Sequence, residues 1–417
     1  MMRNTHMSLA IDVGTSSVNC LLAVLQPNGK LIFTGVGQGD TRGGMQGGVV
    51  VDIDIVSRAV VQAVSQACQG NELRIKNSMA SLSGAHLQCI NSRGMVRVHN
   101  SDISQDDIQD VLAAAQAVPF PEQQQVLHTL PSQYLVDGRS GVRRPQGMAA
   151  VRLEVDAQVV TADRNVCRNL GKVLFSGKLK VNRMVSGGLC AAAAVLDRDE
   201  VQTGALVLDI GAGKTDIVLI RNGYLQKLYT LSEAGDKVTA RIARELRIPM
   251  AEAENLKLRH GSAAPDLIAS SEQVQIPAIH GSVERTLPRR ELAELISSCY
   301  YELFQQVRLV VERDQLELNS LAGIVLTGGG AKIESLQSAA EEVLESAVRI
   351  GTPKVDGRLG YVVSDPAFAT SVGGMLFAVQ QPPPMDCFFT HTAPTPRRRS
   401  SDSNFLLAVW RWLRENY

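Results

Sequence analysis

A repeated hairpin constrains this chain more than any other feature. "SLAIDVGTSSVNCLLAVL" near the start and "GALVLDIGAGKTDIVLIRNGYL" near the middle share one plan. Each is an apolar strand ending in Asp-x-Gly, a short turn, a second apolar strand and an Asn-Gly pair: Asn28-Gly29 in the first copy, Asn222-Gly223 in the second. Asn-Gly between apolar runs marks a two-residue hairpin, because both positions take positive φ. Two such hairpins, one in each half, predict two related α/β lobes facing each other across a cleft. A third glycine turn, "LTGGGAKIE", follows another apolar strand after the second hairpin, as that cleft requires.

The turns point to phosphate chemistry. Successive backbone N–H groups in such turns bind phosphate oxygens, and glycine is needed because a Cβ would block close approach. The first loop offers Gly14, Thr15, Ser16 and Ser17, and the second offers Gly211, Ala212, Gly213, Lys214 and Thr215. Asp12 and Asp209, at the strand ends, suit Mg²⁺ held through water beside the phosphates. Gly328, Gly329 and Gly330 read as a loop that opens a helix, suited to the sugar or α-phosphate side of a nucleotide. "GAGKT" lacks the opening glycine of a Walker A loop, so that alternative is set aside.

Between the glycine turns the pattern alternates strands and helices. Ile55, Val56, Ala59, Val60, Ala63 and Val64 recur at helical spacing. Ser104 with Asp107 three residues on marks a capped helix start. Lys plus Arg and Asp plus Glu are both 42, so the net charge is zero and nothing global favours nucleic acid as a partner. The seven cysteines include no C-x-x-C pair and read as small buried side chains in a reducing compartment. The N-terminus has no signal-peptide pattern, and no run is long and apolar enough to span a membrane. A cytoplasmic protein is expected, unless something lighter than a span holds it to a membrane.

The tail supplies that alternative. "QQPPPMDCFFTHTAPTPRRRSSDS" reads as a flexible linker. Beyond it, "NFLLAVWRWLRENY" carries both tryptophans of the chain. At about 100° per residue, Phe405, Leu406, Val409, Trp410, Trp412 and Leu413 gather on one face, with Arg411 and Arg414 on the other. Tryptophan suits the headgroup boundary, and basic residues favour anionic lipid, so the segment reads as an interfacial anchor.

In order, these motifs resemble the actin, Hsp70 and sugar-kinase superfamily: two phosphate loops, then an adenosine loop. "VSGGLCAAAAVL" and "ATSVGGML" are similar to its two connecting helices. "AIDVGTSSV", "RGGMQGGVV", "LSGAHLQCINSRGMV", "VLHTLPSQYLVDG", "NLKLRHG" and "AGIVLTGGGAKIE" resemble, more narrowly, the FtsA family of bacterial cell-division proteins. The resemblance implies an α/β, actin-like two-lobed fold with duplicated ribonuclease-H-like domains, an FtsA-type inserted subdomain and a C-terminal amphipathic helix. It places the first lobe at 1–82 and 163–183 with the insert at 83–162, and the second-lobe core at 184–234. A second-lobe insert follows at 235–310, the adenosine loop at 311–364, the last helix at 365–380, the linker at 381–403 and the anchor at 404–417.

The same resemblance implies ATP and Mg²⁺ as ligands, with Gly235 lining the site and Glu254 and Lys257 holding the ribose. Gly211-Ala212-Gly213-Lys214 departs from the family's Gly-Gly-Gly-Thr run, which leaves ATP binding expected and hydrolysis weak or absent. The implied partners are the FtsZ C-terminal peptide, further copies in actin-like polymers, later division proteins and an anionic membrane surface. The implied place is the cytoplasmic face of the inner membrane at the division site, as a peripheral protein. Rival expectations are a small-molecule kinase of the superfamily, a PilM-like membrane adaptor and an Hsp70-like chaperone. Too few residues remain after the last helix for a chaperone's peptide-binding domain.

Overall fold

The computed structural model describes residues 7–26, 30–69, 75–276, 285–316, 318–355 and 357–379. The expected turn at Asn28-Gly29 and the whole tail lie outside them, including Phe405, Leu406, Val409, Trp410, Arg411, Trp412, Leu413 and Arg414.

The chain begins with an antiparallel meander of β1 (Met7–Val13), β2 (Ser17–Leu25) and β3 (Leu31–Asp40). A short ribbon of β4 (Met45–Gln46) and β5 (Val49–Val50) leads into α1 (Ile53–Cys68), and β6 (Ile75–Leu82) returns parallel to β1. An insert follows: β7 (Gln88–Arg97), α2 (Gln105–Gln116), β8 (Gln124–Val136), β9 (Arg139–Val142) and β10 (Arg152–Asp163). Its sheet, ordered β7-β10-β8-β9, packs α2 over a small core of its own built on Ile108, Val111, Leu112, Leu153 and Val155. The Ser104–Asp107 capping box at the start of α2 forms as the sequence predicts.

After α3 (Arg164–Ser176), β11 (Arg183–Ser186) pairs parallel with β6 and completes the first sheet, β11-β6-β1-β2-β3. The lobe boundary expected at 183/184 falls inside this strand. Its ladder to β6 keeps Met184, Val185 and Ser186 in the first lobe. His128 on β8 fixes the insert to this point: its Nε2 accepts a hydrogen bond from the Ser186 N–H at 3.1 Å. Burial pushes the His128 pKa down to about 3.

The second lobe repeats the plan. After α4 (Gly187–Val195) and α5 (Arg198–Thr203) come β12 (Ala205–Ile210), β13 (Thr215–Arg221) and β14 (Tyr224–Leu231). Asn222 and Gly223 turn the last hairpin with φ of 56° and 82°, the positive pair such a turn demands. Helices α6 (Gly235–Leu246) and α7 (Met250–His260), the ribbon β15 (Gln273–Ile276) and β16 (Arg285–Pro288), and α8 (Arg289–Arg313) cover one face. Then come β17 (Gly323–Thr327), α9 (Leu336–Leu344) and β18 (Val348–Ile350). Read from its far edge, this sheet is β18-β17-β12-β13-β14, the same order and the same parallel and antiparallel pairings as the first.

Two backbone-to-backbone contacts hold the arrangement. Gly35, Gly37 and Gly39 of β3 face Ala67, Ala63 and Ala59 of α1, so closely that a Cβ on each glycine would sit 1.8, 1.9 and 2.2 Å from a carbonyl oxygen. The spacings match: two strand residues advance about 6.6 Å and four helix residues about 6 Å. The second contact joins the lobes. α4 lies on β12 and β13, α11 (Ala369–Ala378) lies on β1 and β6, and the two helices meet. A Cβ at Gly373 would sit 1.7 Å from the Cys190 carbonyl oxygen. A short helix, α10 (Gly360–Val363), precedes α11.

Candidate functional site

The two Asp-x-Gly turns have one geometry. The Gly14 N–H donates to Ser17 O in the first and the Gly211 N–H to Lys214 O in the second, both at 2.9 Å. The ladder pairs Asp12 with Asn19 and Asp209 with Asp216. The turns face each other in contact: a Cβ on Gly213 would lie 2.7 Å from Thr15 Oγ1. Thr41, fully buried, braces the first loop by donating its Oγ1–H to Gly14 O at 2.8 Å. The start of α6 braces the second, where the Asp236 N–H donates to Ala212 O at 2.7 Å.

A cleft of about 250 Å³ lies between the lobes. Asp12, Gly14, Thr15, Ser16, Ser17, Asp209, Gly211, Ala212, Lys214, Gly235, Glu254, Lys257, Gly328, Gly329 and Gly330 line it. Two expected residues stand behind the lining. Gly213 is taken up by its contact with Thr15, and Thr215 is buried with its hydroxyl donated to Glu233 O at 2.7 Å. The expected helix after Gly328–Gly330 is also corrected. The loop opens only a single 3-10 turn, Gly329–Lys332, and α9 starts at Leu336 after Ser335 takes φ 60°. A helix dipole therefore does not act at this loop.

Each polar wall has its own support. Lys257 is buried on α7, and its ammonium donates to Gly235 O at 3.0 Å and Thr239 Oγ1 at 2.8 Å and pairs with Glu254 at 2.7 Å. Burial alone would raise the Glu254 pKa, but the Lys257 hydrogen bond and charge hold it below the usual carboxylate range. Gly328, at φ 84°, lies against the first turn of the second lobe, where a Cβ would be 2.4 Å from Asp209 Oδ1. Gly329 is the open member, with nothing nearer its Cβ position than Ala367 Cβ at 3.9 Å.

Asp12 accepts from the Ser81 hydroxyl at the end of β6, and Asp209 Oδ2 accepts from Thr370 Oγ1 on α11 at 2.9 Å. Burial raises the pKa of Asp12, and burial with the nearby Asp216 charge pushes Asp209 up to about 7. Carboxylates so placed are short of positive charge. Among the described residues no group of three or more His, Cys, Asp or Glu side chains could grip a metal ion directly. Asp12 and Asp209 fit the outer contact, through water, that the sequence predicts. The Thr15 hydroxyl oxygen is buried without a hydrogen-bond partner, as a group awaiting a ligand would be.

The comparisons with known proteins decide the family. Residues 206–373 match the family model described as cell division protein FtsA, and residues 84–161 match that of the SHS2 domain inserted in FtsA. The chain is 36% identical over 375 residues to the cell division protein FtsA of Pseudomonas aeruginosa, covering 90% of each. It is 33% identical to that of Escherichia coli K12, covering 88% of each, and 30% identical to that of Neisseria meningitidis, covering 98% of each. This chain belongs to the FtsA family. It is thus an actin-like cell-division protein, and the sequence-based expectation of family and fold class holds. Solved structures agree on the fold. The PilM–PilN type IV pilus biogenesis complex matches at TM-score 0.65 and 18% identity, over 89% of this chain and 98% of that one. MreB5 of Spiroplasma citri bound to ADP matches at 0.52 and 16%, over 90% and 97%.

Within this FtsA-family cleft, sequence reasoning missed Asn19, Arg42, Leu258, Tyr300, Ile333, Ala367 and Thr370, which also line it. The hairpin register could have found Asn19, two residues beyond the loop, but the others arrive from distant elements. A larger opening of about 690 Å³ lies between the insert sheet and the β13–β14 turn. Within it Arg93 and Asp156 are paired, with Arg93 Nε 2.6 Å from Asp156 Oδ1.

Proposed function

We propose that the cleft binds ATP with Mg²⁺, and that the nucleotide sets the angle between the lobes of a protein that holds FtsZ filaments to the inner membrane. The observation that carries the nucleotide half is the convergence of two equivalent hairpin turns, the Gly328–Gly330 loop and the Glu254–Lys257 pair on one cleft. In this reading the backbone N–H groups of both turns hold phosphate oxygens, and the Thr15 hydroxyl gains the partner it lacks. Glu254 and Lys257 hold the ribose, and Leu258 and Ile333 give the Gly329 side apolar walls. Mg²⁺ neutralises phosphate charge through waters held by Asp12 and Asp209. Hydrolysis is weak or absent, because Asp216 is engaged by Lys214 at 3.1 Å and by Thr230 at 2.6 Å and does not stand free as a base. MreB5, bound to ADP in its solved structure, lends support to nucleotide in a cleft of this fold.

The rest of the proposal follows from family membership and the tail sequence. Residues 235–310 bind the FtsZ C-terminal peptide, the insert at 83–162 meets later division proteins, and copies associate into actin-like polymers. Residues 404–417 lie on anionic lipid at the cytoplasmic face of the division site.

Equilibrium binding of fluorescent ATP to the full-length protein tests the cleft. Asp12→Ala, Asp209→Ala and Gly329→Val should each weaken binding by about tenfold or more, about 1.4 kcal/mol. The valine fills open cleft at a position where no backbone stands in its way. Wild-type affinity in all three variants would sink the assignment. Vesicle co-sedimentation tests the anchor. Trp410→Glu and a chain ending at residue 403 should stay in the supernatant, and if the shortened chain still pellets, the tail is not what binds. Calorimetry with the FtsZ C-terminal peptide tests the partner, and silence at high micromolar concentration would count against it.

A further inference from the structure

We infer that the folded body makes a second membrane contact of its own, in which a basic face at the far end of the first lobe lies on anionic lipid. The inference rests on the tail anchor proposed above and adds the surface that the anchored body turns to the membrane. It starts from the distribution of charge. From Arg164 to Leu196 the chain carries Arg164, Arg168, Lys172, Lys178, Lys180 and Arg183 and no Asp or Glu, although the two signs balance over the whole sequence. α3 sorts this stretch into two sides. Cys167, Leu170, Val173 and Leu174 are buried. Arg168, Lys172 and Phe175, four and then three residues apart, form one exposed stripe. Phe175 ends the stripe at 77% exposure, and the exposed Lys178 and Lys180 follow it.

Among the described residues no carboxylate pairs with Arg168, Lys172, Lys178 or Lys180. The neighbouring helix supplies none either: Val60 and Val64 of α1 lie against Gly177, and Arg58 is the one charged residue of α1 after Asp54. The topology says where this face lies. Asp12, near the end of β1, lines the cleft, and β6 and β11 run parallel to β1 in turn, so all three strands start at the opposite end of the sheet. Ser78, in the first half of β6, donates to Lys180 O and ties the segment before β11 to that end. α11 begins at the cleft, where Thr370 holds Asp209, meets Met79 at Gly374 and ends four residues later at Ala378. Met79 is the ladder partner of Arg183, the first residue of β11. The described body therefore ends at Val379 on the same side as Lys178 and Lys180, with residues 404–417 still to come. A tail that binds lipid draws this end toward the bilayer. Unpaired basic side chains within a Debye length of anionic headgroups are attracted to them, and an exposed aromatic ring among them has an apolar boundary to enter. One short anchor binds reversibly, and lasting attachment takes a second signal such as this.

The experiment uses the full-length protein with vesicles of phosphatidylcholine, with and without phosphatidylglycerol. The photoreactive p-benzoylphenylalanine replaces Phe175 or, as a control, Leu267, which is equally exposed on the second lobe. On anionic vesicles, irradiation should attach lipid at position 175 and not at position 267. Lys172→Glu with Lys178→Glu should weaken binding to phosphatidylglycerol vesicles by about tenfold or more, as two attractions near the surface become repulsions. The same pair should make binding less sensitive to salt and leave the urea transition where it was. Lys172→Arg with Lys178→Arg keeps the charge and should bind as wild type does. The face is weaker than the tail, so a chain ending at residue 403 still stays in the supernatant. Protein that pellets with no lipid attached at position 175 overturns the inference and leaves the tail anchor intact, and so does charge reversal without effect. Attachment at position 175 to a second copy of the chain in place of lipid assigns the face to assembly and also overturns it. Wild-type protein that pellets with neither vesicle overturns both readings.

Discussion

The two hairpins share a backbone and differ in charge. Each makes the same 2.9 Å turn hydrogen bond, and in each the residue opposite the aspartate takes a partner from the third strand. Asn19 Oδ1 accepts from Gln38 at 2.8 Å, and Asp216 Oδ1 accepts from Thr230 at 2.6 Å. Gln38 and Thr230 are the ladder neighbours of Asn19 and Asp216, so the duplication extends to side-chain register. The first copy satisfies that position with an amide and needs no counter-charge. The second uses a carboxylate and must carry a lysine. The backbone is thus duplicated, and the side chains alone set the charge of each copy.

The most damaging way to break the comparison is to separate the copies. Gly373→Val forces a side chain into the Cys190 carbonyl and should cost on the order of 4 kcal/mol or more, read as loss of the cooperative urea transition. A stable, soluble Gly373→Val protein would mean that the helices can part. Next comes conversion of the second hairpin into the first. Lys214→Ser alone leaves Asp216 buried without its ion partner and should cost about 3 kcal/mol. Lys214→Ser with Asp216→Asn should recover at least half of that in a double-mutant cycle, and strictly additive effects would sever the pair.

The insert should also loosen from the first lobe in acid. Folded His128 stays neutral down to about pH 3, whereas the ordinary imidazole takes up a proton near 6.5. Between those values the unfolded chain binds more protons, so this contribution to stability is lost as pH falls. The stability difference between wild type and His128→Asn should narrow by about 2 kcal/mol from pH 7 to pH 5. A constant difference would show that His128 is not the group responsible. The smallest effect is local to one copy. Asn222→Ala, at φ 56°, should cost about 1 kcal/mol, because alanine tolerates the left-handed region less well than asparagine.

The duplication was legible because its carriers are short in sequence: an apolar strand, Asp-x-Gly and Asn-Gly. That Glu254 and Lys257 reach the cleft was legible through the family resemblance, and they lie three apart on one helix as a pair. What escaped comes from far along the chain. Ser81 reaches Asp12 from β6, Thr370 reaches Asp209 from α11, and Tyr300 reaches Gly330 O from α8 at 3.3 Å. No local pattern announces such meetings, because packing of whole elements makes them. The short 3-10 turn after Gly328 escaped for a different reason. The residues there suit a helix, but Ser335 turns left-handed and delays α9. The alanines of α1 were read as one apolar face, and their match to alternate glycines on β3 appears only when strand and helix rise are compared.

The crossing of α4 and α11 sets a mechanical limit on the molecule. Where Gly373 meets the Cys190 carbonyl, no side chain lies between the helices to be squeezed or stretched. The contact works as a bearing: it resists a change of spacing and leaves rotation as the soft coordinate. Any opening or closing of the cleft must then be a tilt about this point, so a small displacement at the pivot is magnified toward the far edges of the lobes.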